Sequence, residues 1–464
     1  MKVLVDADGA LTPGIRAIRS RFQVPGAFPP TTLAEAAQAA ARGFAGHADR
    51  TALPFVTLDP AGATDLDQAF AIEASGADLL LHYAIADVDA VVPAGGAIEA
   101  EAWRRGVTQY LPDGKAPLYP PVLSGGAASL RPDGPRPSVV FTIRVRPDGA
   151  APLDGVARAM IRSRAQLAYE TVRPEDLPPD FAALAKRLRA AEAERGATRL
   201  DPPEQEVTRR ADGAYALGFR VRRQAEDDNA LLSLATNLAV AETLRAHGVG
   251  LFRVMAPPDA RAEARLRQTA RAVGLSWPDM EPLAQFQRTL DPADPRHATF
   301  MLAVRRAGAP AGYQAYDPAQ TPWHAAVGAP YAHATAPLRR LADRYVIAAT
   351  LALANGQRPP ETALEAFTRL PPVMARAERL AGELERAVID LAEAVMLRGR
   401  EGETFPARVT EVDERGARIQ LCDLPVAARA SVPGAAAGDH LQVRLEKADP
   451  DAPPVRFAVD AANG

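Results

Sequence analysis

The chain reads T-L-D-P-A-G-A-T-D-L-D-Q from Thr57 to Gln68, and this stretch places three carboxylates, Asp59, Asp65 and Asp67, within nine positions. Apolar runs precede and follow it, which predicts two buried strands joined by a short turn that contains a proline and a glycine. A strand that ends in several acids offers hard oxygen ligands on a rigid support, as a magnesium site for phosphate chemistry requires. The alternative is a solvated Asx turn that closes a hairpin.

The composition predicts a large buried core and more than one domain, because 47% of the 464 residues are hydrophobic. No apolar run is long enough to span a bilayer, and the first residues turn acidic where a signal peptide would be apolar. We therefore expect a cytoplasmic protein with no membrane partner, and we expect it to act as a monomer. The single cysteine, Cys422, excludes an internal disulfide and a thiolate zinc site.

The basic residues are strongly biased toward arginine. Four of the 54 basic residues are lysines, at Lys2, Lys115, Lys186 and Lys447. Arginine forks suit phosphate recognition, but the abundance of alanine, arginine and proline also fits a genome-wide codon bias. The net charge of −3 argues against a polycation and still allows a local basic channel.

The first part of the chain, residues 1–50, is predicted to be a small helical segment. Two helices flank a break rich in proline and glycine, and Thr31 or Thr32 is the expected N-cap of the second helix. This pattern is typical of a packing appendage, with a helix-turn-helix as the alternative.

Strands, an irregular stretch and helices follow in that order. Residues 51–95 are rich in strand-forming sequence, residues 107–137 show no clear period, and helices dominate from about residue 163 to residue 400. The last of these helices is expected to break at its two adjacent prolines. Five short strands with glycine-containing turns between residues 403 and 460 predict an OB-type barrel.

A second motif reads Y-A-H-A-T-A-P-L-R-R-L-A-D-R over residues 331–344. A threonine N-cap followed by a proline predicts that a helix begins at Thr335, which places Arg339 and Arg340 within or just after its first turn. Because free N–H groups at a helix N-terminus bind phosphate, an anionic partner explains basic residues there. The alternative is a surface arginine paired with Asp343.

A third motif reads W-R-R-G-V-T-Q-Y-L-P over residues 103–112. It places aromatic side chains beside arginines, a combination that binds single-stranded nucleic acid by base stacking. For Trp103, a position in the hydrophobic core is the favoured interpretation.

Taken in order, these motifs resemble those of the ribonuclease II, or RNB-domain, exoribonucleases. The family's pattern T-[IL]-D-x5-D-x-D-D matches residues 57–68, its R-x-x-x-x-YLP segment matches residues 105–112, and its L-S…S-L stretch matches residues 123–130. The pattern Y-x-H-A-T-S-P-[IL]-R-R-Y-A-D closely matches residues 331–343. The resemblance implies an α+β fold with an RNB catalytic domain over residues 51–400, built from a mixed sheet with surrounding helices. It also implies a five-stranded OB-fold β-barrel that binds RNA over residues 401–464.

The resemblance further implies processive 3′-to-5′ hydrolysis of single-stranded RNA to nucleoside 5′-monophosphates, with Mg²⁺ or alternatively Mn²⁺ as the cofactor. The implied catalytic and metal-binding residues are Asp59, Asp65, Asp67 and Arg339, with Gln68 as a further metal ligand. The implied RNA contacts are Tyr110 beside the 3′-terminal base, Arg339 on the scissile phosphate, and Arg340, Tyr331 and Glu385.

The chain departs from the family pattern in three places. Gln68 replaces the fourth acid, which leaves a catalytically weakened RNA-binding protein on the same fold as the alternative function. Residues 196–207, where the family's aromatic clamp partner is expected, contain no aromatic residue. About 50 residues precede the catalytic segment, fewer than the family's paired cold-shock domains need. A metal phosphoesterase for small substrates and a helix-turn-helix transcription factor are the remaining alternatives.

Overall fold

The N-terminal segment contains a short strand and two helices. The computed structural model describes residues 4–6, 9–197, 204–291, 294–413, 416–432 and 434–459. The first elements are β1 (Leu4–Val5), α1 (Leu11–Arg21) and α2 (Pro30–Ala40). Helix α1 buries Leu11, Ile15 and Ile18 against the rest of the protein, as expected for a packing appendage. The predicted N-cap of α2 at Thr31 or Thr32 is wrong, because Pro30 already occupies the first turn, where no N–H is needed.

A seven-stranded mixed sheet forms the centre of the larger body, in the order β10-β3-β4-β5-β8-β9-β2. Its pairs are antiparallel except β3 with β10 and β2 with β9. Strand β3 is buried at all five positions, as its apolar sequence predicts. The elements of this region are β2 (Ala48–Asp49), β3 (Phe55–Asp59), β4 (Gln68–Ser75), β5 (Asp78–Ala86), α3 (Val88–Val91), α4 (Ala97–Arg105), β6 (Gln109–Leu111), β7 (Gly114–Ala116), β8 (Arg136–Val145), β9 (Leu153–Ile161) and β10 (Ser163–Ala168).

Residues 107–137 contain more regular structure than the sequence predicts. Strands β6 and β7 form a two-stranded antiparallel hairpin, and Leu123–Ala127 form a π-helical turn. Each element is at most five residues long, so it has too few positions to show a period in the sequence.

The region predicted to be helical, residues 163–400, is mainly helical but includes five strands that the sequence did not reveal, β10 at its start and four more after residue 169. Its elements after β10 are α5 (Phe181–Arg195), β11 (Gln205–Arg209), β12 (Tyr215–Phe219), α6 (Gln224–Ala246), β13 (Leu251–Val254), α7 (Ala260–Ala272), α8 (Leu283–Gln287), α9 (Pro295–Ala307), β14 (Gly312–Ala315), α10 (Leu341–Ala354) and α11 (Glu361–Leu397). The expected break in α11 is wrong. The helix continues through Pro371 and Pro372, where the buried side chains of Leu370 and Met374 hold it against the core on both sides.

The last five strands close into a barrel in the order β15-β16-β17-β19-β18, which confirms the prediction of a five-stranded OB-type barrel. They are β15 (Thr404–Asp413), β16 (Gly416–Leu421), β17 (Ala427–Ser431), β18 (His440–Lys447) and β19 (Arg456–Val459). The α+β fold, with a mixed sheet, surrounding helices and this barrel, is as expected. Across the described part of the chain, no helix has both the length and the apolar character needed to cross a bilayer.

Candidate active site

The acidic loop between β3 and β4 is fixed by contacts from outside the loop. Ser129 Oγ accepts a hydrogen bond from Leu66 N at 3.0 Å and donates one to the carbonyl oxygen of Thr64 at 2.7 Å. Leu130 N donates to the carbonyl oxygen of Leu66 at 3.0 Å. Gly62 has a φ of 79°, which other residues rarely adopt, and so allows the turn. Hydrogen bonds from Ser129 and Leu130 therefore fix the conformation of the loop, which is not a solvated hairpin turn.

The three carboxylates of this loop have different partners. Asp67 is 1% exposed and accepts hydrogen bonds from Leu338 N at 2.6 Å and from Arg339 Nε at 2.5 Å. Asp65 lies 2.6 Å from Lys115 Nζ and accepts a hydrogen bond from Tyr110. Asp59 is 8% exposed, and its Oδ2 has no hydrogen-bond partner among the described residues.

The electrostatics of the loop favour a cation. Burial raises the pKa of Asp59 to about 7, and the Arg339 guanidinium only partly opposes this rise. The charges of Asp67 and Asp65 contribute to this raised pKa. Burial also raises the pKa of Asp67 to about 6, against the lowering effect of the same guanidinium. A buried carboxylate oxygen with a raised pKa and no partner is stabilised by a positive ion.

The second motif meets the acidic loop through Arg339. The predicted helix start is wrong, because α10 begins at Leu341, after a turn over residues 337–339 and an extended Arg340. Thr335 Oγ1 does not cap a helix but contacts Ser233 Oγ at 2.8 Å. The carbonyl oxygen of Arg339 instead accepts a hydrogen bond from Thr108 N at 2.9 Å, which ties the second motif to the third.

Arg340 has a partner of its own. Its Nε and Nη2 donate to the two oxygens of Asp343 at 3.0 and 2.7 Å, and Asp343 is fully buried. The ion pair considered from the sequence is therefore present for Arg340, whereas Arg339 pairs with Asp67. A role for Arg340 in RNA binding stays a prediction.

Gln68 and Tyr331 line a cavity of about 480 Å³ beside the acidic loop. Gln68 Oε1 accepts a hydrogen bond of 2.6 Å from the buried Tyr83 hydroxyl, so this oxygen is already engaged. Asn229, which the sequence did not single out, lines the same cavity, and its Oδ1 is buried without a hydrogen-bond partner among the described residues. A role for Gln68 as a metal ligand stays a prediction.

The remaining predicted residues lie around the loop. Tyr110 is 56% exposed, which leaves its ring accessible. Glu385 is on the exposed face of α11 and lines a separate cavity with Pro60 and Tyr169. Trp103 packs against the core and donates to the Tyr345 hydroxyl at 2.8 Å, which confirms its predicted core position. Half of the segment expected to hold the aromatic clamp partner, residues 198–203 of 196–207, lies outside the described residues.

The residues fit a divalent cation only in part. Within the described ranges, no group of three or more His, Cys, Asp and Glu side chains is arranged to hold a metal ion. Arg339 and Lys115 each form an ion pair with one of the three aspartates. The unpartnered Oδ2 of Asp59 is the atom at which a cation fits best.

Comparisons with known proteins identify two families along the chain. The family model of the RNB domain matches residues 48–354, and that of the RNase II-type exonuclease C-terminal S1 domain matches residues 403–460. The chain is 29% identical over 403 residues to Exoribonuclease 2 of Cronobacter sakazakii, a match that covers 81% of this chain and 61% of that protein. The chain thus spans less than two thirds of the length of this relative.

Solved structures share the fold. Mycoplasma genitalium RNase R in complex with ribose-methylated single-stranded RNA matches with a TM-score of 0.87 and 20% identity, over 98% of this chain and 78% of that one. A yeast pseudonuclease matches with a TM-score of 0.69 and 16% identity, over 92% and 56% of the two chains. Because a pseudonuclease also has this fold, the fold alone does not establish cleavage.

Proposed function

Since this chain belongs to the RNB-domain family of RNase II-type exoribonucleases, we propose that it hydrolyses single-stranded RNA processively from the 3′ end and releases nucleoside 5′-monophosphates. The observation that carries the proposal is the contact between Asp67 and Arg339, residues 272 positions apart. This contact joins the acidic loop to a basic residue, as a phosphodiester-cleaving site requires.

Arg339 is the residue that we propose contacts the scissile phosphate. Its side chain is 39% exposed, whereas that of Asp67 is 1% exposed, so the guanidinium can reach a substrate while it stays anchored. Because Nε donates to Asp67, the two Nη groups can donate to the phosphate oxygens in a fork. Arg339 would then stabilise the charge that develops as the 3′-oxygen leaves.

We propose that Mg²⁺, or alternatively Mn²⁺, binds at Asp59, Asp65 and Asp67, with Gln68 as a further ligand. When bound, the ion supplies a Lewis acid for the phosphoryl oxygens. Tyr110 would stack on the terminal base, because its ring is exposed and its hydroxyl is fixed on Asp65 at 3.1 Å.

Further RNA contacts and the organisation of the chain are also proposals. Tyr331, Arg340 and Glu385 would contact the RNA around the cleavage site. The chain would act as a cytoplasmic monomer with a helical segment over residues 1–50, a catalytic domain over 51–400 and an RNA-binding barrel over 401–464. A short connection without helix or strand joins the end of α11 at Leu397 to the start of β15 at Thr404, which supports the boundary between residues 400 and 401.

The test is a degradation assay on 5′-labelled single-stranded RNA, with Mg²⁺ and then with EDTA. We expect a ladder of shortening products with Mg²⁺ and intact RNA with EDTA. Products that persist in EDTA would contradict the metal requirement, and intact RNA in both conditions would contradict the proposed activity.

A catalytically weakened RNA-binding protein is the second candidate. The observation in its favour is that Gln68, in place of an acid, has its Oε1 engaged by Tyr83. In that case, wild-type protein would bind single-stranded RNA without shortening it, and Gln68→Asp would gain cleavage.

A further inference from the structure

Lys115 is a cation within the acidic site that no motif of the sequence predicts. It is one of four lysines in a chain with 54 basic residues. Its Nζ lies 2.6 Å from Asp65 Oδ1, and the two side chains are 29% and 9% exposed. A compact ammonium group approaches a single carboxylate oxygen as a point charge, which a planar guanidinium does not.

The hairpin of β6 and β7 holds Lys115 in place. Lys115 is directly opposite Tyr110 in the antiparallel register, so both side chains project from the same face of the hairpin. Both reach Asp65, and Lys115 Nζ also donates to Thr64 Oγ1 at 3.2 Å. Helix α1 fixes the hairpin turn, because Arg19 donates to both oxygens of Asp113 at 2.8 and 2.7 Å. The ammonium group therefore has a defined position beside the acidic loop.

The net charge of the site is balanced by one divalent ion together with one phosphodiester. Three carboxylates, at Asp59, Asp65 and Asp67, face two fixed cations, so the site carries a net charge of minus one when all are ionised. One divalent ion and one phosphodiester bring this to neutrality. Nucleases with two metal ions hold them about 3.5–4 Å apart as a clamp on the attacking and leaving oxygens. A second ion here would make the site strongly positive even with phosphate bound.

We infer that Lys115 takes, at Asp65, the place of a second divalent ion, so that the site binds one divalent metal ion and uses the ammonium group to neutralise the phosphate. This inference rests on the proposed RNA cleavage for the role of the phosphate. Gln68 is consistent with a single ion, because the neutral amide lacks the negative charge of the fourth acid, which would help to balance a second ion.

The test measures Mn²⁺ binding to the full chain without RNA, by electron paramagnetic resonance. We expect one Mn²⁺ per wild-type chain. Lys115→Met removes a competing positive charge a few ångströms away, so we expect it to bind Mn²⁺ at least about tenfold more tightly. Lys186→Met is the matched control, since Lys186 is exposed on α5 outside the site, and its Mn²⁺ affinity should equal that of the wild type.

Cleavage of labelled RNA by the same proteins completes the test. Lys115→Met should cut at least about tenfold more slowly although it binds the ion more tightly, because a cation on the phosphate is lost. Lys115→Gln should behave in the same way and guards against a folding defect specific to methionine. A lysine that only holds the hairpin in place would change neither metal affinity nor stoichiometry.

Two results would overturn the inference: two Mn²⁺ ions per wild-type chain, or an unchanged Mn²⁺ affinity in both Lys115 variants. Failure of the proposed function is a separate result. If the wild type does not cut RNA but binds one Mn²⁺, and Lys115→Met binds it more tightly, the one-metal site stands and the proposed cleavage fails.

Discussion

Replacement of Arg339 by methionine should lower both the stability of the protein and its rate of RNA cleavage, and the two losses have different origins. Asp67 is 1% exposed and depends on two donors, Leu338 N and Arg339 Nε. The Arg339→Met variant keeps the apolar stem and removes the guanidinium, so a buried carboxylate loses one of these donors. Removal of one partner from a buried ion pair costs about 3–5 kcal/mol. Because Leu338 N remains in place and the Arg339 side chain is 39% exposed, we expect a smaller loss, about 1–3 kcal/mol in the free energy of unfolding.

The matched control is Arg340→Met. Asp343 is as buried as Asp67 and also keeps a backbone donor, Ala336 N at 2.8 Å, when its arginine is removed. We therefore expect a similar loss of stability, measured by urea unfolding in EDTA with circular dichroism. Arg340 is itself a proposed RNA contact, so cleavage is compared at saturating RNA, where weaker binding no longer limits the rate and the two variants should differ. Arg339→Met loses a donor to the developing phosphate charge, which is worth about 10²–10³ in rate.

Two results would refute this reasoning. If Arg339→Met unfolds at the same urea concentration as the wild type, Asp67 does not depend on the guanidinium. If folded Arg340→Met loses as much of the cleavage rate at saturating RNA as Arg339→Met, the loss follows stability and not contact with the scissile phosphate.

Three further changes test other parts of the structure. Asp67→Asn should abolish cleavage and leave the RNA dissociation constant within about threefold in a filter-binding assay, because an amide removes a charge and keeps the shape. Tyr110→Ala should weaken binding of single-stranded RNA by about 1–3 kcal/mol, as loss of one stacked base predicts, and fluorescence anisotropy measures this. Burial raises the pKa of Glu393 from 4.5 to about 8, so the folded protein retains a proton that the unfolded chain releases. Stability should therefore be highest below pH 4.5 with respect to this group, and should fall as pH rises toward 8. Glu393→Gln should remove that fall, as urea unfolding at pH 5 and pH 8 would show.

The strands that carry the site were predictable because their signal is local. The buried run that ends at Asp59 and the short strands of the C-terminal barrel show hydrophobic patterns and turn residues that depend on neighbours in sequence. The start of α10 was not predictable in this way. The Thr335 hydroxyl contacts Ser233, a residue 102 positions away, and so it does not cap a helix. The backbone N–H groups of Ala336 and Leu338 donate instead to the carboxylates of Asp343 and Asp67, and Asp67 lies 271 positions from Leu338.

In the candidate site, too, some residues have a local sequence signal and others are placed only by distant contacts. Motif residues such as Asp67 and Arg339 were recognisable, but the groups that set their chemistry come from elsewhere in the chain. Lys115 and Asn229 belong to no motif, and their positions beside the acidic loop follow from the hairpin and from the packing of α6. No spacing rule connects residues so far apart, so only the folded structure shows which charges face one another.

The contact between Tyr83 and Gln68 determines how the two candidate functions are best distinguished. Gln68→Asp restores an acid but shortens the side chain by one methylene, which takes the acceptor away from a fully buried hydroxyl. A buried donor without a partner costs about 1–3 kcal/mol, so an inactive Gln68→Asp variant has two explanations. Gln68→Glu keeps the length and an acceptor for Tyr83 while it adds the charge. If Gln68→Glu also fails to increase cleavage, the missing acid does not limit cleavage, and the second candidate function loses the observation that favours it.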